Sequence, residues 1–218
     1  MRKVTLSLVF IALALGINCE EAWADPVSEA KELNLQGVQL QKEGKLAEAA
    51  AKYRQAIGLN PGAAGYHNNL ALVLKDLNQL PQAEQEMRIA LKLKPDRAHY
   101  FYNLGIILDR ENKLSEAESN LKQAISIEAM DPEFRYRLAG VLRRLSRFEE
   151  AEEQMKLALL VRPNEADYHY LLGDIYLEAG KKEDALYEYR RVADSGAKSV
   201  PADLQNKIDY LRQTLGTR

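Results

Sequence analysis

The sequence predicts an all-α fold made of stacked helical hairpins, and three observations carry that prediction. The stretch Ala98 to Asp131 holds two apolar faces at helical spacing, Leu104, Ile107 and Leu108 in its first half and Ala117, Leu121, Ala124 and Ile125 in its second. Sliding the chain against itself by 34 residues superimposes this stretch on its neighbours without gaps, five copies in all. Turn-forming residues recur at the same interval: Gly44, Asn78, Asn112, Ser146 and Gly180.

Each element of the hairpin follows from residue type. The first helix carries a small residue at Gly37, Ala71, Gly105, Ala139 and Gly173, with Leu40, Leu74, Leu108, Leu142 and Tyr176 three positions on. The second carries Ala49, Ala83, Ala117, Ala151 and Ala185, then Ala56, Ala90, Ala124, Ala158 and Val192. Between those small residues stand Tyr53, Met87, Leu121, Met155 and Tyr189. Small residues facing large ones let two helices approach closely, and a lone hairpin has no partner for its second apolar face, so the hairpins must stack. Asn112 stands where a helix stops in the left-handed conformation that Asn tolerates, and Ser115 with Glu118 reads as a capping box that restarts the helix. Pro61, Pro95 and Pro163 end three of the modules.

The spacing of Leu104, Gly105, Leu108, Ala117, Leu121 and Ala124, with a closing Pro in most copies, resembles the tetratricopeptide repeat. The resemblance covers residues 30–199 as 30–63, 64–97, 98–131, 132–165 and 166–199. It implies a right-handed α-solenoid of five helical hairpins plus a C-terminal capping helix, with the first helices lining a concave groove.

Residues 1–24 are of another kind. Arg2 and Lys3 precede an apolar run from Val4 to Gly16, and Ala22-Trp23-Ala24 supplies small residues at the positions a signal peptidase reads. The segment is expected to be a cleaved export signal leaving Asp25 as N terminus. An uncleaved anchor is disfavoured because the uncharged run, residues 4–19, falls short of the roughly 20 residues a spanning helix needs. Cys19 fits a lipidation signal poorly, since Asn18 stands where Gly or Ala is expected. The single cysteine lies in this segment, so a mature chain would hold neither disulfide nor thiolate site.

A short leader, 25–29, precedes the first repeat, which has Gln36 where its neighbours have Leu70, Leu104, Leu138 and Leu172. A polar residue there suits a terminal repeat with one face in water. Asp131-Pro132 reads as a cap followed by Pro at the first helical position, and Pro81 fits a first helical turn. Ser195-Gly196 ends the last repeat helix. From Pro201 a further helix is expected within 200–218, with Leu204, Ile208, Leu211 and Leu215 on one face, which closes the stack.

The composition points to no polyanionic partner: 30 basic and 32 acidic residues leave a net charge of −2. His67, His99 and His169 are scattered over three repeats with no nucleophile or metal motif beside them, so neither catalysis, metal nor cofactor is expected. The resemblance implies that the fifth and sixth module positions face the groove. These include Asn68, Asn69, Tyr102, Asn103, Tyr136, Arg137 and Tyr170, a stripe of amides and phenols that forms the candidate partner-binding set. Repeated helices lie about 8 to 10 Å apart, so Tyr102, Tyr136 and Tyr170 should not stack on one another. Arg137, Arg143 and Arg144 suit an acidic peptide, or else pair internally with Asp109, Glu133 and Asp174. The Lys and Asn with which some family members grip chaperone tails are not carried over, because repeat one has Asn34 and Val38 at those positions.

The resulting expectation is a non-catalytic interaction scaffold in a bacterial periplasm, binding a peptide segment or partner helix, with no nucleic acid partner and no stable membrane insertion after cleavage. The alternatives are a glycan-binding module using the tyrosines, and an accessory subunit of an envelope enzyme.

Overall fold

The computed structural model of the chain describes residues 25–196 and 200–216. The expected export signal, with Cys19, lies outside the described residues. The described residues contain eleven helices and no strand. The chain divides into two compact units, up to Pro95 and from Asp96. The first unit contains α1 (Pro26–Lys42), α2 (Leu46–Leu59), α3 (Ala64–Asp76) and α4 (Leu80–Leu93). The second contains α5 (Ala98–Arg110), α6 (Leu114–Ile127), α7 (Pro132–Arg144), α8 (Phe148–Val161), α9 (Ala166–Glu178), α10 (Lys182–Asp194) and α11 (Leu204–Leu215).

Within each unit the helices pack in chain order. Each first helix lies against the second helix of its own hairpin, and that second helix lies against the next first helix: α2 on α3, α6 on α7, α8 on α9. First helices of successive hairpins also touch, α1 with α3, α5 with α7 and α7 with α9. This is the stacked-hairpin architecture of an all-α solenoid.

The turn inside each hairpin is the same Schellman motif. In the hairpin of α5 and α6, Lys113 N donates to Leu108 O at 2.9 Å and Asn112 N to Asp109 O at 3.0 Å. The pattern recurs at Lys45 to Leu40, Gln79 to Leu74, Arg147 to Leu142 and Lys181 to Tyr176. It requires a positive φ at the residue before, and Gly44, Asn78, Asn112, Ser146 and Gly180 have φ of 75°, 59°, 62°, 57° and 78°.

The restart of the helix differs from the sequence expectation. The N-cap of α6 is Lys113 with no side-chain cap bond, and Ser115 already lies inside the helix. The expected capping box of Ser115 and Glu118 is therefore absent. The Schellman turn feeds directly into the next helix and leaves no room for a separate cap residue. Glu118 bonds Lys122 Nζ and Arg147 Nη1 instead, each at 2.6 Å. The expected cap at Asp131 is present, its carboxylate accepting from Glu133 N at 2.8 Å, with Pro132 opening α7. Asp25 does the same for α1, which begins at Pro26 and so takes in the leader. Pro81 sits in the first turn of α4.

Prolines at module ends reinforce a conformation rather than create it. Asn60, Lys94 and Arg162, each before Pro, have ψ of 79°, 87° and 79°, away from the helical region as the proline ring demands. Glu128 adopts the same ψ of 79° before Ala129. The last helix starts three residues later than expected: Pro201 lies in a turn, Leu204 N donates to Pro201 O at 3.0 Å, and α11 begins at Leu204. Leu204, Ile208 and Leu211 are buried and α11 packs on α10, which closes that end of the second unit. Gln36 is exposed whereas Leu70, Leu104, Leu138 and Leu172 are buried.

The core of each hairpin is one small residue under one large one, sixteen positions apart. A Cβ on Gly37 would stand 2.6 Å from Tyr53 Cε1, on Gly105 2.7 Å from Leu121 Cγ, and on Gly173 2.6 Å from Tyr189 Cε1. The hairpins that carry Ala71 and Ala139 have the unbranched Met87 and Met155 at the large position, all four fully buried. An unbranched side chain slides past an extra methyl where a ring or a branched one does not.

Two outcomes are expected. Gly105→Ala lowers stability by about 1–3 kcal/mol through overpacking, even though Ala is the better helix former. Adding Leu121→Met recovers most of the loss, measured by urea unfolding followed by circular dichroism. Ser146→Gly raises stability by about 0.5–1 kcal/mol, because a left-handed residue with a Cβ carries a cost that exceeds the entropy of the added glycine.

Candidate partner-binding surface

In the first unit the candidate residues form a chain of side-chain amides. Asn68 Nδ2 donates to Asn69 Oδ1 at 3.2 Å, and Asn69 Nδ2 donates to Asn34 Oδ1 at 3.0 Å, linking α3 to α1. Half of Leu35 is exposed next to Asn34 in sequence, an apolar contact beside the polar row.

In the second unit the three tyrosines do not stack on one another; each ring pairs with a different aromatic partner. Tyr102 packs on Phe134 with centroids 4.9 Å apart, Tyr136 stacks on Tyr168 at 5.1 Å and 22°, and Tyr170 lies 5.7 Å from Tyr189. The partners Phe134 and Tyr168 belong to an aromatic row at the third module position, Tyr66, Tyr100, Phe134 and Tyr168. That row is visible at the repeat interval, and sequence reasoning passed over it.

The hydroxyls divide differently. Tyr102 donates to Glu133 Oε1 at 3.2 Å. Tyr170 donates to Asp203 Oδ1 and accepts from Lys207 Nζ, both at 2.6 Å. The Tyr136 hydroxyl has no hydrogen-bond partner among the described residues and reaches solvent. The Arg137 guanidinium lies over the Tyr136 ring, 5.2 Å from its centroid, and its Nε donates to Glu133 Oε1 at 3.0 Å. One turn on, Gly140 has open space where a Cβ would stand. Asn103 is half-buried and partnered. Tyr136 and Arg137 thus present a pre-ordered aromatic and cationic edge with one phenol unspent.

The basic residues of α7 are matched by acids of this chain. Arg143 Nη1 bonds Glu178 Oε1 at 2.8 Å and Asp174 Oδ2 at 3.3 Å. Arg144 bonds the Asp109 carboxylate, and also Asn112 Oδ1 at 2.7 Å. Internal pairing is therefore the state of this cluster, which weakens its case as a receptor for an acidic peptide.

Sequence reasoning also missed Lys207 of α11. Its ammonium bonds Asp174 Oδ1 at 2.6 Å and Asp203 Oδ2 at 3.1 Å, and lies 4.3 Å from the Tyr170 centroid. Burial works against the charge, but the bonds to Asp174, Tyr170 and Asp203 hold it well above the ordinary lysine range. The hydrogen bond from Tyr170, and then that from Lys207, holds the Asp203 carboxyl below its usual range. No sequence signal marks this cluster, because it joins α9 to a helix outside the repeat register.

Burial pushes up the phenols of Tyr102, Tyr136 and Tyr170, and pushes Tyr168 to about 12, with Glu133 adding to the effect. These side chains stay neutral donors throughout the physiological range. Among the described residues no group of three or more His, Cys, Asp or Glu is placed to hold a metal ion, and no helix is long and apolar enough to cross a membrane.

Tetratricopeptide-repeat profiles match residues 34–98 and 69–130, and a further one matches 110–175. The chain belongs to the tetratricopeptide-repeat family. A comparison of its sequence with curated proteins gave no match. Among solved structures it is similar to pilF of Pseudomonas aeruginosa, with 20% identity over 88% of this chain and 86% of that one, and a TM-score of 0.75. MamA of Desulfovibrio magneticus RS-1 has 19% identity over 77% and 94%, TM-score 0.72. YrrB, described as a tetratricopeptide-repeat protein with an unusual peptide-binding site, has 22% identity over 82% and 90%, TM-score 0.67. At these identities the likeness speaks for the fold. That fold supports a protein-interaction scaffold, and repeats of this family generally serve as non-catalytic scaffolds.

Alkaline titration tests the phenol environment. A phenol whose folded-state value is raised above the ordinary value of about 10 contributes stability that is full below pH 10 and lost as pH rises toward 12. Tyrosinate absorbance at 295 nm is expected to develop later in the folded chain than in urea, and Tyr168→Phe to shrink the latest-titrating fraction.

Proposed function

We propose that this protein is a non-catalytic scaffold that works outside the cytoplasm, in a bacterial periplasm, and binds an extended peptide segment along its first helices. The observation that carries this reading is the Tyr136–Arg137 edge. An aromatic ring held by Tyr168 on one side and by a guanidinium on the other costs little entropy to immobilise on binding. Its unspent hydroxyl is available to a ligand backbone, and the open space at Gly140 admits one. Exposed tyrosine and arginine are the residue types that dominate binding energy at interfaces.

In the first unit, Asn69 and Asn68 supply amide groups suited to main-chain carbonyls and N–H groups. Tyr102, Asn103 and Tyr170 have a supporting role, since their polar groups are already engaged within the chain. The peptide-binding site named for YrrB favours a peptide as ligand. Export rests on residues 1–24: a charged start, an apolar run and Ala22-Trp23-Ala24.

A crosslinking pull-down from the native cell envelope tests the surface. Tyr136→Ala with Arg137→Ala, in a chain equally helical by circular dichroism, is expected to lose specific partners about tenfold or more, and Tyr136→Phe to lose them partially. An unchanged partner set would place the working surface elsewhere. Intact mass spectrometry of the chain from its host is expected to find Asp25 at the N terminus, and a chain retaining residues 1–24 would remove the export reading.

A further inference from the structure

The fourth module position carries the same tie in three hairpins. His67 Nδ1 lies 2.7 Å from Glu86 Oε2 and its Nε2 3.0 Å from Pro61 O. His169 Nδ1 lies 2.5 Å from Glu188 Oε2 and its Nε2 2.9 Å from Pro163 O. In the hairpin between them Arg135 reaches Gln154 Oε1 at 2.9 Å and Ala129 O at 3.0 Å. The sequence offsets are identical, 19 residues to the side chain and six to the carbonyl. Each tie clasps a first helix to the second helix of its own hairpin and to the turn that enters it.

Arginine supplies donors only, which is what this position needs, because the carbonyl on one side accepts and the carboxylate on the other accepts. A neutral imidazole has one N–H and can serve only one of them. His67 is 5% exposed, His169 4% and Glu188 8%, so water cannot readily supply the missing donor. A buried acceptor left without a partner is costly.

We propose that His67 and His169 are held as imidazolium ions in the folded chain, each donating from both ring nitrogens, so that these clasps take up a proton when the hairpins form and loosen as pH rises. The charges facing each ring differ. Toward His67, α4 contributes Glu86 and the α2–α3 turn contributes only the Pro61 carbonyl; Glu86 is its one ion-pair partner among the described residues. Toward His169, α10 contributes Glu188, Asp194 and Arg191, whose Nη2 shares the Pro163 carbonyl at 3.2 Å, and α8 contributes Lys156 to the adjoining cavity. Arg191 and Lys156 oppose a second cation while Glu188 and Asp194 favour it, so His67 is the cleaner of the two sites. The chain's own Arg135 shows that a permanent cation fits the position, which makes His→Arg the matched control.

The test compares thermal unfolding of the full chain at pH 6 and pH 9 with that of His67→Arg and of His67→Arg with His169→Arg. The sign follows from the missing donor: the tie is complete at low pH and loses a hydrogen bond as pH rises. The wild-type midpoint is expected to fall more between the two pH values than that of His67→Arg, with the double variant flattest. Parallel falls in all three would overturn the proposal. Nitrogen NMR of the wild-type rings at pH 7.5 decides the matter independently of how the variants fold. Two protonated nitrogens per ring are expected at positions 67 and 169, and a bare ring nitrogen at both would overturn it.

Discussion

The close approach of two helices inside each hairpin governs the rest of this structure. Gly37 under Tyr53, Gly105 under Leu121 and Gly173 under Tyr189 leave no space for even one methyl group. That contact sets the distance between paired helices, and the distance in turn decides which side chains of neighbouring hairpins meet. Dispersion contacts of this kind are individually small and are lost steeply with separation, so the small residue is a geometric requirement. The Schellman turns serve the same end: five left-handed residues return the chain at a fixed angle, and the backbone bonds of each turn satisfy carbonyls that a helix end would otherwise leave open.

The surface of the second unit follows from this frame. Stacking brings the third position of one first helix against the fifth position of the previous one, so Phe134 meets Tyr102 and Tyr168 meets Tyr136. Acids meet bases in the same way, Asp174 with Arg143 and Asp109 with Arg144. Most polar groups on this face are thereby consumed in holding helices together. What remains available to a partner is the part without an internal role, and Tyr136 is the clearest instance. The fold thus selects binding residues by subtraction.

Much of the fold was legible in the sequence because a 34-residue period imposes the same residue classes at the same offsets. The left-handed positions, the buried alanines and the polar Gln36 at the first repeat could all be read from residue type. The capping box at Ser115 was misread because its residues fit a local rule that the preceding turn overrides. The start of the last helix at Leu204 was missed because a proline can stand before a helix as well as open one. The role of Lys207 was invisible, since it joins a helix outside the period to Asp174, 33 residues earlier.

What the sequence determined by itself is the hairpin: helical periodicity, small-against-large pairing and turn residues are local properties, and repetition makes them unambiguous. What only the tertiary structure decided is which side chains are spent. Tyr102, Tyr136 and Tyr170 are the same residue at the same module position, yet one donates to Glu133, one has a free hydroxyl and one is bound by Asp203 and Lys207. Likewise His67 and His169 read as isolated residues along the chain and become clasps once two acceptors, 19 and six residues away, converge on each ring. Hydrogen bonding depends on distances of a few tenths of an ångström between groups remote in sequence, and no residue pattern encodes those distances before the helices pack.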